Sequence, residues 1–374
     1  MEIARKYRVK KLCTKEDEGM ENGKDNDVLE SVSGLTSYIQ SEKYRKALGL
    51  PEKQEESYHI LAQGEYNRNF WFIHPETGRK LVLRVNFGSQ MHLTDQIGYE
   101  YRALEDLYGC GRTPEPLYAD GSLRDLDHGV MVMEYLPGEA LQYRRTGDLR
   151  KAAYILADIH AKPLEHPEKL VRSGQPLKEM LEECEQMQQV YQDSDLGSSE
   201  VKALIRECLD RGHRAAEKYE ADIPYRCCIN TELNNTNFLI QPDSEEVPPY
   251  EGNYLIDWEK PLYGDPAQDL GHFLAPTTTF WKTDAILTDE EQNAFIDAYL
   301  KAVGDCFCTD GLRECTDVFT RMTCLRGITW CAMAWVQYRQ ADHQGLKNAS
   351  TAAKLDSYVD PEFIRKYGLL PQSV

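Results

Sequence analysis

The sequence predicts an α+β protein, with a small antiparallel β region followed by a larger, mainly helical one. Three patterns predict it. Between Tyr58 and Tyr135, short apolar runs are separated by turn residues, as in half-buried strands. From Asp148 onward, apolar residues recur every three or four positions over long stretches, which is the helical period. One short hairpin pattern interrupts those helices between Phe238 and Ile256. A chain of 374 residues has length for two lobes, each with its own core.

Residues 1–57 read as a partly helical, charged extension. Lys15 to Asp27 has the composition of a loosely attached segment, and Val28 to Leu48 reads as one helix ending at Gly49 and Pro51. Tyr58–Leu61 and Phe70–Ile73 then flank Gln63-Gly64-Glu65-Tyr66-Asn67-Arg68, and Pro75–Gly78 turns into Lys80–Val85. These make three antiparallel strands. On the third, Leu81, Leu83 and Val85 face one way, Val82 and Arg84 the other. Thr94 to Tyr108 reads as a helix with Ile97, Tyr101, Leu104 and Tyr108 along one face; Glu100 and Glu105 are its candidate partners for Arg84. Gly129 to Tyr135 is an apolar strand leading into Leu136-Pro137-Gly138.

Asp148 to Ala161 reads as a helix capped by Asp148 and ending at His160. Amphipathic helices follow over Pro176–Tyr191 and Ser199–Tyr219; their Glu182, Glu183, Glu207 and Asp210 could face solvent or a cationic substrate, and solvent is expected. Asp265, followed by Pro266, caps the next helix. Ala275 to Lys282 reads as a loop at the border of a substrate site. Thr288 to Glu291 is a capping box, and Trp330, Cys331, Met333 and Trp335 form a core stripe on a later helix.

Chemistry concentrates between Cys228 and Leu270. Phe238–Ile240 and Tyr254–Ile256 pair as a hairpin across a Pro-rich loop, so Asn237, opening the first strand, meets Asp257, closing the second. Glu232 lies five residues before Asn237. Three oxygen-bearing side chains therefore converge, a donor set suited to Mg²⁺. A carboxylate, an Asn five residues later and an Asp across a hairpin is the spacing of a kinase catalytic centre.

Asn230-Thr231-Glu232, Asn237, Ile256-Asp257-Trp258-Glu259, Gly264-Asp265-Pro266 and Asp269-Leu270 resemble the aminoglycoside phosphotransferase and choline kinase family. That family usually reads His-Gly-Asp where this chain has Asn-Thr-Glu. The resemblance covers residues 58 to 285 and implies a bilobal protein-kinase-like fold. Residues 58–137 would be the nucleotide-binding lobe, and 138–374 the catalytic and substrate-binding lobe. It implies ATP or GTP with Mg²⁺ as cofactors, Asn237 and Asp257 as metal ligands, and Glu232 in the catalytic carboxylate slot. It further implies nucleotide binding by Gly64 in the first loop, by Arg84 paired with Glu100, and by the backbone from Glu134 to Leu136. His160 and Asp269 would be structural supports of the catalytic loop.

Composition narrows the partners. A formal net charge of −19 repels phosphate backbones and speaks against nucleic acid, and it suits either cationic small molecules or plain solubility. No apolar run approaches a membrane span. The 11 cysteines have no zinc-site spacing and read as small hydrophobes in a reducing cytoplasm. Three functions compete: a Mg-dependent kinase for a small hydroxylated, cationic or sugar-like molecule; a nucleotide-binding pseudokinase acting as regulator or scaffold; and nucleotidyl transfer at the same site, for which no second carboxylate motif is present. Oligomeric state is not readable.

Overall fold

The structure, a computed structural model, describes residues 28–64, 66–219, 224–242, 250–340 and 349–369. Its first region is built on five antiparallel strands: β1 His59–Gln63, β2 Asn67–Ile73, β3 Lys80–Asn86, β4 Pro116–Asp120 and β5 Gly129–Glu134, in the order β1-β2-β3-β5-β4. The two-residue alternation on β3 sorts its side chains between two cores. Leu81, Leu83 and Val85 pack with Phe70, Phe72 and Val132 on the outer face. Val82 packs with Ile97, Leu104 and Met131 on the inner face, which is continuous with the main core.

The outer face is covered by the N-terminal extension. The single helix expected over Val28–Leu48 is three pieces: a 3₁₀ turn Leu29–Ser31, α1 Leu35–Ile39 and α2 Glu42–Leu48. Gly34, at φ 82, breaks the first junction, where the left-handed backbone favours glycine. Ser41 breaks the second: its backbone is extended and its hydroxyl accepts from Tyr44 N–H, capping α2. The breaks let Leu29, Leu35, Ile39 and Tyr44 all reach the sheet. Buried Arg45 forks onto Glu56 at 2.9 and 3.1 Å, tying the extension to the start of the sheet. Lys15 to Asp27 lies outside the described residues.

Helix α3, Gln96–Leu107, is capped by Asp95, which accepts from Gly98 N–H at 2.8 Å. Its buried side holds Ile97, Glu100, Leu104 and Leu107. Tyr108, expected on that stripe, is 57% exposed, because the chain leaves helical geometry there.

The second region contains α4 Asp148–His160, α5 Pro176–Gln192, α6 Ser199–Lys218, α7 Pro266–Leu274, α8 Pro276–Lys282, α9 Asp289–Val303, α10 Leu312–Arg339, α11 Ala349–Tyr358 and α12 Pro361–Tyr367. Strands β6 Glu139–Ala140, β8 Phe238–Ile240 and β9 Tyr254–Leu255 form one small sheet. Strands β7 Cys227–Ile229 and β10 Leu262–Gly264 pair as a ribbon. Three expectations are corrected. Asp148 does not cap α4: Gly147 holds the cap position at φ 88, and the Asp148 carboxylate accepts from Gln142 N–H and pairs with Arg145 instead. Residues 276–282 are not a loop but a short helix with Pro276 in its first turn and Thr277 to Thr279 buried. Glu183 is not simply solvated, since it pairs with Arg326 of α10, whereas Glu182, Glu207 and Asp210 are exposed. The capping box on α9 is present, and Cys331 and Met333 are buried. No described helix is long and apolar enough to cross a membrane.

Candidate active site

The site forms where β3 and α3 of the first region meet the β8–β9 hairpin of the second. Arg84, 5% exposed, projects from the inner face of β3. Its Nη1 donates to Glu100 Oε1 of α3 at 2.5 Å, and its Nε to Asn69 Oδ1 on β2 at 3.2 Å. Both terminal nitrogens reach Asp257 Oδ1 at 3.4 Å. Arg84 thus meets Glu100, not Glu105, and joins both regions through one guanidinium. Glu259 lies 3.9 Å from Arg84 and accepts from Asn67 Nδ2, while its backbone carbonyl accepts from Gln96 Nε2 at 2.7 Å.

The charges in this cluster do not balance. One guanidinium faces Glu100, Asp257 and Glu259. Burial, reinforced by Asp257, pushes the Glu259 carboxyl up to about 8. Burial also raises Glu100 against the pull of Arg84, and Glu100 Oε2 is buried without a partner among the described residues. Three carboxyl groups thus share one guanidinium, an excess of acidic groups that a divalent cation would relieve.

The loop that carries Asn230, Thr231 and Glu232 is fixed from beneath. Fully buried Asp269 accepts from Asn230 N–H and Thr231 N–H, each at 2.8 Å. His160, also fully buried, bridges Asp269 and the Tyr299 hydroxyl at 3.3 and 2.8 Å. Asp265 caps α7 by accepting from Ala267 N–H at 2.8 Å. These bonds hold Thr231 at φ 67, a left-handed backbone unusual for a β-branched residue; Asp257 also sits at φ 67. Strained backbone of this kind collects at functional sites.

The Asn-Thr-Glu tripeptide makes its own connections. Asn230 accepts from Glu232 N–H at 3.1 Å and donates to the Asp257 carbonyl at 2.9 Å, joining the loop to the hairpin. Thr231 Oγ1 donates to the Lys260 carbonyl at 2.9 Å. The Lys260 ammonium in turn pairs with Glu232 Oε1. Burial would push the Glu232 carboxyl up, but Lys260 outweighs it and holds the group below its ordinary range. Thr231, Glu232 and Lys260 therefore work as a set.

Asn237 closes the 3₁₀ turn Asn235–Asn237, one residue before β8, and its carbonyl accepts from Ile256 N–H at 2.9 Å. That bond sets Asn237 beside Asp257. Asn237 Nδ2 donates to the Glu232 carbonyl at 2.8 Å, which leaves Oδ1 as its outward donor atom. Among the described residues no three His, Cys, Asp or Glu side chains form a metal site by themselves. A Mg²⁺ ion typically takes one or two protein ligands and completes its shell with phosphate and water, and Asn237 Oδ1 with the Asp257 carboxylate fit that requirement.

The remaining expected nucleotide contacts lie elsewhere. Gly64 donates to the Asn67 carbonyl at 2.8 Å, closing the β1–β2 connection; Glu65 is outside the described residues. Glu134 ends β5, and Leu136 follows at 8% exposure. Among the described residues no hydrogen bond or ion pair links Gly64, Glu134 or Leu136 to the Arg84–Asp257 cluster.

Beside the loop is a cavity of about 240 Å³, lined among others by Thr231, Lys260, His272, Glu179, Glu183 and Arg326. Arg326 Nε and Nη2 fork onto Glu183 at 2.7 and 3.2 Å. Burial and nearby Arg326 lower His272 to about 4, so its ring is neutral, and Nδ1 accepts from Leu233 N–H at 3.2 Å. Residues 276–282 do not line this cavity; Thr323 of α10 does. Sequence reasoning missed Asn67, Glu259, Lys260, His272 and Arg326. Glu259 carried a signal as the last residue of the Ile256-Asp257-Trp258-Glu259 motif, and Lys260 as the residue that follows it.

The sequence profile described as the phosphotransferase enzyme family matches residues 57–316. A comparison with curated protein sequences gives no match. Among solved structures, the chain is similar to a spectinomycin phosphotransferase in complex with ADP and spectinomycin, at 13% identity and TM-score 0.58, covering 89% of this chain and 96% of that one. It is also similar to choline kinase from Cryptosporidium parvum, at 15% identity and TM-score 0.57, over 90% and 98% of the two chains. Plasmodium vivax ethanolamine kinase matches at 14% identity and TM-score 0.56, over 92% and 91%. These likenesses show a shared kinase-like fold, and with the profile covering well over half of its length the chain belongs to the phosphotransferase enzyme family.

Proposed function

We propose that this chain transfers the γ-phosphoryl group of ATP or GTP to a hydroxyl of a small molecule. The observation that carries the reading is the convergence of Arg84, Glu100, Asp257 and Asn237 beside a loop that presents Glu232. Residues 58–137 would hold the nucleotide and residues 138–374 the acceptor, with the described part of the N-terminal extension, residues 28–57, buttressing the sheet. Gly64 and the backbone from Glu134 to Leu136 are the proposed nucleotide contacts, and the cytoplasm is the expected compartment.

Phosphoryl transfer depends on positioning and charge neutralisation more than on covalent chemistry. Asn237 and Asp257 would hold Mg²⁺, which supplies charge neutralisation on the phosphates. Arg84, kept in place by Glu100, offers N–H donors to phosphate oxygens. Glu232 stays ionised through Lys260. With Oε1 engaged by Lys260, Oε2 is the oxygen that orients an acceptor hydroxyl and takes its proton late in the transfer. A Glu reaches about 1.5 Å further than an Asp, and the Thr231–Lys260 bond fixes where that longer side chain ends.

The test is ADP release with hydroxylated acceptors and Mg²⁺, repeated with Glu232→Gln and Asp257→Asn. Both substitutions should reduce transfer by about 100-fold or more. Turnover unchanged by Glu232→Gln would remove Glu232 from the catalytic role, and nucleotide binding with no turnover of any acceptor would replace this reading with that of a pseudokinase.

A further inference from the structure

We propose that the cavity beside Glu232 takes a small amphoteric acceptor, a hydroxylated amino acid whose carboxylate is read by Arg326 and whose ammonium is read by Glu179. This inference rests on the phosphotransfer reading above and narrows its acceptor.

The cavity's charges are arranged to receive both signs. Glu183 engages only the Nε/Nη2 edge of Arg326, two of its five N–H donors. The Nη1 edge has no partner among the described residues, so Glu183 orients Arg326 and leaves its outer fork for a planar anion, which a carboxylate matches with two parallel bonds. Glu179 lies one turn before Glu183 on α5 and also lines the cavity; its carboxylate makes no ion pair among the described residues. Glu232 is already neutralised by Lys260. The cavity is thus lined by one half-used cation and one unpaired anion.

The same inventory argues against other acceptors. A quaternary ammonium is normally held in a cage of aromatic faces, and no Trp, Tyr or Phe lines this cavity among the described residues. A purely cationic acceptor would also meet Arg326 and Lys260. A volume of about 240 Å³ suits a small molecule. Neutral His272, with Nδ1 occupied by Leu233 N–H, carries its proton on Nε2 and adds a donor for an acceptor oxygen.

The experiment presents matched acceptors with Mg·ATP to the full chain and reads ADP release and the ³¹P spectrum of the product. L-serine is compared with ethanolamine, which lacks the carboxylate, and with D-glycerate, which lacks the ammonium. Longer hydroxylated amino acids are run beside their decarboxylated counterparts. The expected result is transfer to at least one amino acid with kcat/KM about 100-fold above its decarboxylated counterpart, mostly through KM. Arg326→Gln should erase that preference and Arg326→Lys restore part of it. Should Arg326→Gln fail to fold, Glu179→Gln, at an exposed position, carries the test by losing the preference over the hydroxy acid. Equal or better transfer to the decarboxylated members, or a preference unmoved by both substitutions, overturns the proposal. No transfer to any member by a chain that still melts higher with Mg·ATP also overturns it while sparing the nucleotide reading. A chain that does not respond to nucleotide overturns the proposed function itself.

Discussion

Replacing Asp269 with Asn tests how the loop from Asn230 to Glu232 is held. The Asp269 carboxylate is fully buried and accepts from Asn230 N–H and Thr231 N–H at 2.8 Å and from His160 at 3.3 Å. An amide has one acceptor oxygen. Turned one way, its NH₂ faces the Thr231 N–H; turned the other, it faces the Asn230 N–H and His160. Either orientation sets donor against donor and leaves a buried N–H unsatisfied. Losing a charge-assisted bond costs about 1.5–3 kcal/mol and an unsatisfied buried donor about 1–3 kcal/mol more, so Asp269→Asn should destabilise the chain by about 3–5 kcal/mol. That is a large share of the ~5–15 kcal/mol that holds a typical protein folded. The same bonds keep Thr231 in its left-handed conformation, and releasing them lets Glu232 shift. A displacement of about 1 Å costs about 100-fold in rate. Denaturant unfolding at pH 7 reads the first effect, and transfer to a working acceptor reads the second. A loss below about 1 kcal/mol together with unchanged transfer would refute the reasoning.

Other predictions concern the departures from the family pattern. Thr231→Gly removes a left-handed strain of about 1–2 kcal/mol but gives up the bond to the Lys260 carbonyl, about 1 kcal/mol; stability by denaturant titration should stay within about 1 kcal/mol of the parent. Lys260→Met removes the main group that opposes the burial of Glu232, so the acidic limb of the pH–rate profile should move to higher pH, as read from kcat/KM. His272 protonates at about 4 when folded and near 6.5 when unfolded. Between those values the unfolded chain binds the extra proton, so stability should fall as pH drops through that window, by up to about 3 kcal/mol. His272→Gln should flatten that part of the profile in melts run from pH 7 to pH 4.

Much of this architecture is legible because short-range pattern determines it. The alternation from Lys80 to Val85 puts Arg84 on the face opposite Leu81, Leu83 and Val85 without any tertiary information, and antiparallel pairing of the hairpin brings Asn237 to Asp257. Other features depend on long-range approach. The helical period is the same on both sides of Gly34 and Ser41, so the three pieces between Val28 and Leu48 read as one until the sheet they cover is known. Tyr108 fits the stripe of α3 in sequence, but the helix stops at Leu107. Long cationic side chains are the hardest to place. Arg326 finds Glu183 across two helices far apart in the chain, and Lys260 finds Glu232 only because Thr231 holds its backbone. The exchange of Asp for Glu in the catalytic slot looks like a defect in isolation, and beside Lys260 it becomes one part of a three-residue arrangement.

The measurement that tests the central claim most directly is a thermal melt with ATP and with GTP, each with and without Mg²⁺, on the parent chain and on Asp257→Asn. Nucleotide at 100 times its dissociation constant adds about 2.7 kcal/mol. The account predicts a Mg²⁺-dependent rise in Tm with at least one nucleotide, lost in Asp257→Asn. No shift with either nucleotide, or a shift indifferent to both Mg²⁺ and Asp257, would contradict it.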